Sequence, residues 1–496
     1  MAELFWPAVL SMGAFYLATF AVGVGAARRG RRSDGERSLA ELMLAGRSLP
    51  PWIALCTMTA TWVGGGYING TAERSFSDGV FWGAQAGVGY ALSLVIGGLV
   101  FARSMRRRGF TTLIDPFERR YGARVAAILM LPAVLAELFW SGAILVALGS
   151  TLGVILGLEL PVAIVGSAAI GIAYTALGGL RAVAYTDVLQ LALIFVGLGV
   201  AVPFVLGEAG GLAAVWAAGT ASASLSPLEA LSYADWSLLL ILGGIPWNVY
   251  FQRVLACRDE RAAVRTSVLA GGICVVAAVP PLLLGLAAMQ IDWNSLGPEP
   301  GGLAAQLDES PALVLPFLLR YGVPVWVAVL GLGSIAAAVM SSIDSSMLSA
   351  ATLLTWNGYR KGIRPRAGPT ELRRVLRVAI VILGTAATWI AFEVSSVAAL
   401  WYLCGDLVYC VLFPQLSLAL FDRRANWIGA LAGLGVSVLL RLGGGDATLG
   451  LESFLPYPDW DGAFPFRTLA MLAGLASAWG ISRATARRAP PQSLDG

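Results

Sequence analysis

The chain has 496 residues, of which 57% are hydrophobic and 13% charged, about half the charged share of an ordinary soluble domain. Histidine is absent, which excludes imidazole bases, histidine metal ligands and phosphohistidine relays. The net charge of +4 is not gathered into a nucleic-acid-binding face, because most arginines fall in alternate loops between apolar segments, the positive-inside pattern of a protein whose partner is the lipid bilayer.

Apolar windows of about 20 residues, each able to cross a bilayer, recur along the whole chain. Residues 1–7 lack the basic start of a signal peptide, so the first window, near 5–27, is expected to stay as a membrane helix. Twelve more spans are expected near 50–72, 79–104, 122–156, 160–178, 184–208, 235–256, 263–289, 322–354, 372–393, 396–421, 426–443 and 465–483. This is an all-α membrane protein of about thirteen helices in a single domain, 1–496. Arg28, Arg29, Arg31 and Arg32 follow the first span, and Arg103, Arg106, Arg107 and Arg108 the third. The same side receives Arg181, Arg253, Arg258, Arg360, Arg423 and Arg487, whereas the loops at 209–234 and around 394 hold no Lys or Arg. An outside amino terminus and a cytoplasmic carboxy terminus follow. With a single lysine, Lys361, among many arginines, the membrane is expected to be a bacterial inner membrane. Residues 113–122 (LIDPFERRYG) read as a short interfacial helix starting at Asp115 and Pro116, since proline suits a first helical turn. Residues 292–311 read as a loop, and PALVLPFLLRYG (311–322) as a surface helix. The five cysteines are odd in number and lack CxxC spacing, as small core residues do.

The second span is interrupted. TMTATWVGGGYINGTAE (57–73) places Gly64, Gly65 and Gly66 at bilayer depth, where each glycine weakens a helix by about 1 kcal/mol relative to alanine. Non-helical backbone survives there only where it lines a cavity or is buried in protein, so Trp62 is expected to face whatever binds. A second break, GGIPW (243–247), lies in the seventh span. Helices two to six (50–208) and seven to eleven (235–421) are both sets of five, and an odd number inverts the second set against the first. Helices 5–27 and 426–483 stand outside this pair. Broken helices at matching positions of two inverted halves point to a transporter binding site.

The ninth span carries AAAVMSSIDSSMLSA (336–350). Ser341 and Ser345 share one helix face, as do Ser342 and Ser346, and Asp344 is ionisable within the membrane. Their hydroxyls suit a hard cation such as sodium beside carbonyls freed by an unwound helix, and suit close helix packing equally. Asp187, Asp406 and Glu137 are further acids in or bordering spans, where a charge is costly and favours function. Asp187 and Asp406 can instead cap or border helices near an interface. Trp62 and Trp247 lie at the two breaks, and Tyr90 and Trp140 within the third and fourth spans. A quaternary ammonium has no proton to donate and is recognised by ring faces, each contributing about 0.5 to 2 kcal/mol. Trp6, Trp52, Trp326 and Trp401, near span ends, read as interface anchors.

Taken together, TMTATWVGGGYINGTAE, IDPFERRYG, GGLRAVAYTDVLQ, GGIPWNVYFQRVL, AAAVMSSIDSSMLSA and DLVYCVLFPQLSL resemble the sodium:solute symporter family, and within it the choline-transporting branch, over about residues 10–483. The resemblance implies a LeuT-type 5+5 inverted repeat with discontinuous helices, and sodium-coupled uptake of choline or a related quaternary amine by alternating access, without a cofactor. It implies that Ala60 and Val63, with Ala338, Ser341 and Ser342, hold one sodium, and that Asp187 serves sodium coupling. It implies a choline cage of Trp62, Tyr90, Trp140 and Trp247. Asp344 matches the pattern without an assigned role, and a chloride dependence known in the branch has no ligand named here. Ile343, and Cys404 and Gly405 before Asp406, depart from the family's smaller or hydroxyl residues. Symport of betaine or proline is the nearest alternative, and a choline sensor that moves nothing is the next.

Overall fold

In hydrocarbon every backbone N–H and C=O must be met within its own segment, so apolar windows of this length become helices. The computed structural model describes residues 5–31, 43–177, 179–221, 225–297, 301–394, 396–458, 460 and 462–494. Of the arginines expected in a loop after the first span, Arg28, Arg29 and Arg31 fall within the first helix, and Arg32 lies outside the described residues. Among the described residues nine helices are long and apolar enough to cross a membrane. The other expected spans, at 50–72, 160–178, 426–443 and 465–483, hold helices Pro51–Trp62 with the start of Gly65–Ile96, Leu160–Leu177, Trp427–Gly443 and Phe466–Ala484.

Helix α1 (Trp6–Arg31) is followed by α2 (Pro51–Trp62), which starts on a proline in its first turn and stops at Val63. Helix α3 (Gly65–Ile96) resumes after Gly64 and bends at Gly79, whose φ of 80° falls in the region that glycine enters without a Cβ penalty. The second and third spans therefore meet at a kink rather than a loop. Helix α4 (Asp115–Tyr121) is the expected short helix, its Asp115 carboxylate accepting from the Thr111 and Thr112 amides at 2.6 and 3.2 Å. Helices α5 (Ala123–Leu156), α6 (Leu160–Leu177) and α7 (Leu180–Glu208) follow.

The stretch at 209–234 is not a plain loop. It holds α8 (Leu212–Ala221) and the start of α9 (Pro227–Gly243), which begins early because Ser226 and Glu229 form a reciprocal capping box. Helix α10 (Asn248–Ala256) follows the second break, and α11 (Glu260–Ala288) packs along α3. The expected outer loop contains α12 (Gly302–Glu309). The expected surface helix, α13 (Val314–Tyr321), instead buries Val314 through Leu319 and packs on α14 (Val325–Leu353). Helix α14 crosses the centre of the molecule with its residues from Ser334 to Leu353 buried, between α5 and α7. Helices α15 (Pro369–Glu393), α16 (Val397–Asp406), α17 (Phe413–Phe421), α18 (Trp427–Gly443) and α19 (Phe466–Ala484) close the chain.

Asp406 belongs to this closing frame. Its carboxylate accepts from Arg441 Nε at 2.8 Å and from Arg467 Nε at 2.8 Å, and Arg441 also donates to Asp446. The cluster ties α16 to α18 and α19. Arg441→Leu leaves Asp446 without its cation and Asp406 with Arg467 alone, so it is expected to destabilise the fold by up to about 3 kcal/mol. A melting curve of the detergent-solubilised variant measures this, and an unshifted midpoint would show the cluster to be dispensable.

Candidate functional site

Each backbone break delivers a tryptophan. Trp62 is the last residue of α2, and Trp247 caps α10 in extended backbone, with φ −100° and ψ 133°. Mid-helix positions on α3, α5 and α16 bring Tyr90, Trp140 and Trp401 to the same enclosed cavity. Gly64, Gly66, Tyr67 and Cys404 complete its lining. Ring centroids stand 4.9 Å apart for Trp62 and Tyr90, 5.8 Å for Tyr90 and Trp401, and 5.2 Å for Trp140 and Trp247, the last pair edge to face. The four aromatic residues named from the sequence thus share one cavity.

Sequence reasoning missed two of its rings. Tyr67 lies three residues past Gly64 and stacks at 6.3 Å on Tyr90. Trp401, read as an interface anchor, is 5% exposed and donates from Nε1 to the Tyr90 hydroxyl at 2.6 Å. Its place near a span end concealed that its helix face turns inward, whereas Trp6, Trp52 and Trp326 are exposed as anchors should be. The signal for Tyr67 was available, since an aromatic residue beside a break faces the same space as the break.

The polar groups of the lining are few and mostly engaged. Tyr67 donates to the Cys274 carbonyl at 2.7 Å, and the Cys404 thiol to the Trp401 carbonyl at 2.8 Å. Trp62 Nε1 is buried without a partner. No lining residue carries a formal charge. The lining, π faces with a free indole N–H at Trp62, suits by its chemistry an organic cation lacking N–H groups and offers nothing to neutralise a carboxylate. The space between the rings is only about 10 Å³, so the rings must part to admit such a cation.

Beneath the first break the glycines bring α2 and α3 onto α14. A Cβ on Gly64 would overlap Ser342 Oγ, and one on Gly65 would overlap Val339 Cγ2, whereas one on Gly66 would meet nothing nearer than Val397 Cγ1 at 4.0 Å. Ala60, Val63, Ala338, Ser341 and Ser342 are all buried at this junction, and Ser342 Oγ has no hydrogen-bond partner. A buried oxygen left without a partner fits a small hard cation.

Asp187, on α7, receives hydrogen bonds from Thr57 and from Ser341, each at 2.5 Å. The carboxylate therefore joins α2, α7 and α14. Asp344 accepts from Thr175 at 2.8 Å and leaves its other oxygen unpartnered. Glu137 accepts from Ser349 at 2.5 Å, and Ser346 bonds Ser141 across the α5–α14 contact. Arg253, assigned by charge pattern to the cytoplasmic rim, is instead fully buried. It sits on α10 with Nη2 donating to Ser345 Oγ at 2.5 Å.

The model of the sodium:solute symporter family matches residues 42–436. The chain belongs to that family. The symporter is 44% identical over 481 residues to high-affinity choline transporter 1 of Caenorhabditis elegans, covering 94% of this chain and 83% of that protein. It is 43% identical over 482 residues to the Homo sapiens protein of the same name, covering 92% and 81%. In fold it is similar to a Na+-coupled sialic acid symporter solved in a substrate-bound outward-open state, with TM-score 0.77 at 18% identity over 98% of each chain. It is also similar to Mhp1 in a closed conformation, with TM-score 0.61 at 15% identity over 92% of this chain and 96% of that one. The symporter's helical fold is thus shared with solved structures of a Na+-coupled symporter and of a nucleobase-cation-symport-1 family transporter.

Proposed function

We propose that the protein takes up choline by sodium-coupled alternating access. The observation that carries this reading is the charge-free aromatic cavity at the two backbone breaks. Choline's trimethylammonium group gains from each ring face without needing a counter-ion, and its hydroxyl oxygen can accept from Trp62 Nε1. Betaine shares the ammonium but brings a carboxylate, which an enclosure without a cationic side chain disfavours. The cage comprises Trp62, Tyr90, Trp140 and Trp247, with Tyr67 and Trp401 added.

Sodium, as co-substrate, is held by the carbonyls of Ala60, Val63 and Ala338 and the hydroxyls of Ser341 and Ser342. Ser341 can offer a lone pair to the ion while its proton stays on Asp187. Because Gly64 seats directly on Ser342, an ion at this junction stiffens the end of α2, so that sodium fixes the Trp62 wall of the cage before choline arrives. The halves 50–208 and 235–421 act as inverted repeats, with the amino terminus outside, the carboxy terminus cytoplasmic and the chain in a bacterial cell membrane. Labelled choline uptake into proteoliposomes tests the reading. An inward sodium gradient is expected to raise uptake at least tenfold over potassium, and equal uptake in both would sink ion coupling.

A further inference from the structure

Arg253 is a poorly satisfied buried cation. A guanidinium presents five N–H donors, yet this one makes a single close hydrogen bond, Nη2 to Ser345 Oγ at 2.5 Å. Nη1 has only distant acceptors, Gln252 Oε1 at 3.4 Å and the Val249 carbonyl at 3.5 Å, and Nε has none. Nη2 stands 3.9 Å from Asp187 Oδ2. That is beyond the 2.7–2.9 Å of a charge-assisted hydrogen bond but well within Coulomb reach. Glu137 and Asp344 are also buried and lie within its electrostatic reach, so the guanidinium sits in the field of three carboxylates. Ser345 in turn lies 3.5 Å from Thr61, on the last turn of α2. Arg253 therefore reaches from the inner half of the second broken helix to the carboxylate beside the first break.

We propose that Arg253 is a tethered cation competing with sodium for the field of Asp187, so that sodium arrival loosens α10 from α7 and α14. Two cations sharing one carboxylate repel each other, and the ion entering at Ser341 weakens the guanidinium's attraction from the far side. Trp247 caps α10, so loosening that helix reaches the second wall of the cage. Arg253 is a positioning residue in this account, touching neither choline nor sodium. The inference rests on the sodium-symport reading and goes beyond it by naming what the ion displaces.

Radiolabelled sodium binding without choline, on purified wild type, Arg253→Gln and Arg253→Lys, separates the two claims. Removing a unit charge about 4 Å from the carboxylate is expected to tighten sodium binding by about tenfold or more in Arg253→Gln. Arg253→Lys, which keeps the charge, is expected to stay near wild type. In wild type, sodium alone is expected to speed hydrogen–deuterium exchange across residues 248–256, a readout that needs no variant if Arg253→Gln does not fold. Unchanged or weaker sodium binding in folded Arg253→Gln, or exchange that sodium leaves unchanged or slows, overturns the competition while leaving symport intact. Absence of sodium binding in wild type overturns both.

Discussion

Trp247→Ala and Trp62→Ala are each expected to weaken choline binding by about 1–2 kcal/mol, roughly five- to thirtyfold, through loss of one ring face. The double variant is expected to abolish detectable binding. Trp247 has the further role of bracing Trp140 edge to face at 5.2 Å, a contact that contributes about 0.5–1.5 kcal/mol beyond its buried area, so its loss should be the larger of the two. Trp62 meets Tyr90 at 4.9 Å but in a tilted arrangement. Equilibrium binding of labelled choline, alongside a melting curve that shows each variant folded, measures the effect. Two folded variants with unchanged affinity would move the substrate elsewhere.

Gly64→Ala is expected to weaken apparent sodium affinity by roughly 10- to 100-fold, while Gly66→Ala, at a residue that lines the cavity and does not seat on α14, leaves apparent sodium affinity near wild type. The three glycines look equivalent in the sequence, but their surroundings differ. A Cβ on Gly64 would drive into Ser342 Oγ, and forcing an extra carbon into a filled site costs about 1–3 kcal/mol. At Gly66 the nearest atom, Val397 Cγ1, stands at the ordinary contact distance of 4.0 Å. Neither position has the positive φ that would strain alanine, so space alone separates them. Apparent sodium affinity, read from choline binding across a sodium titration, decides the matter. Equal losses in both variants would mean that the break responds to helix propensity rather than to its seat on α14.

The candidate site was largely legible because its markers are local. A glycine triplet inside an apolar window contradicts the helix that hydrocarbon demands, and the contradiction marks the site wherever the chain then folds. The aromatic residues beside each break share its surroundings, which is why Trp62 and Trp247 could be named from position alone. Asp187 and Asp344 stood out since a carboxylate within a membrane span is costly unless something uses it. The misreadings have the opposite character. Arg253 lies in a run of arginines that counting assigns to the membrane surface, and only the packing of α10 against α14 shows it turned inward. Trp401 sits near a span end as an anchor would, and α13 has the length and flanks of a surface helix.

The sequence by itself determined the membrane class, the helical fold, the two interruptions and the chemical types gathered around them. These depend on composition, apolar length and residues adjacent in the chain, which no later packing can alter. Tertiary structure alone decided which faces of α10 and α16 turn inward, and which glycine bears on Ser342. It also decided that Thr57, Ser341 and Arg253, from three separate helices, converge on Asp187. Such choices are made between segments far apart in sequence, where helix rotation and close backbone approach, rather than local preference, set the lowest free energy.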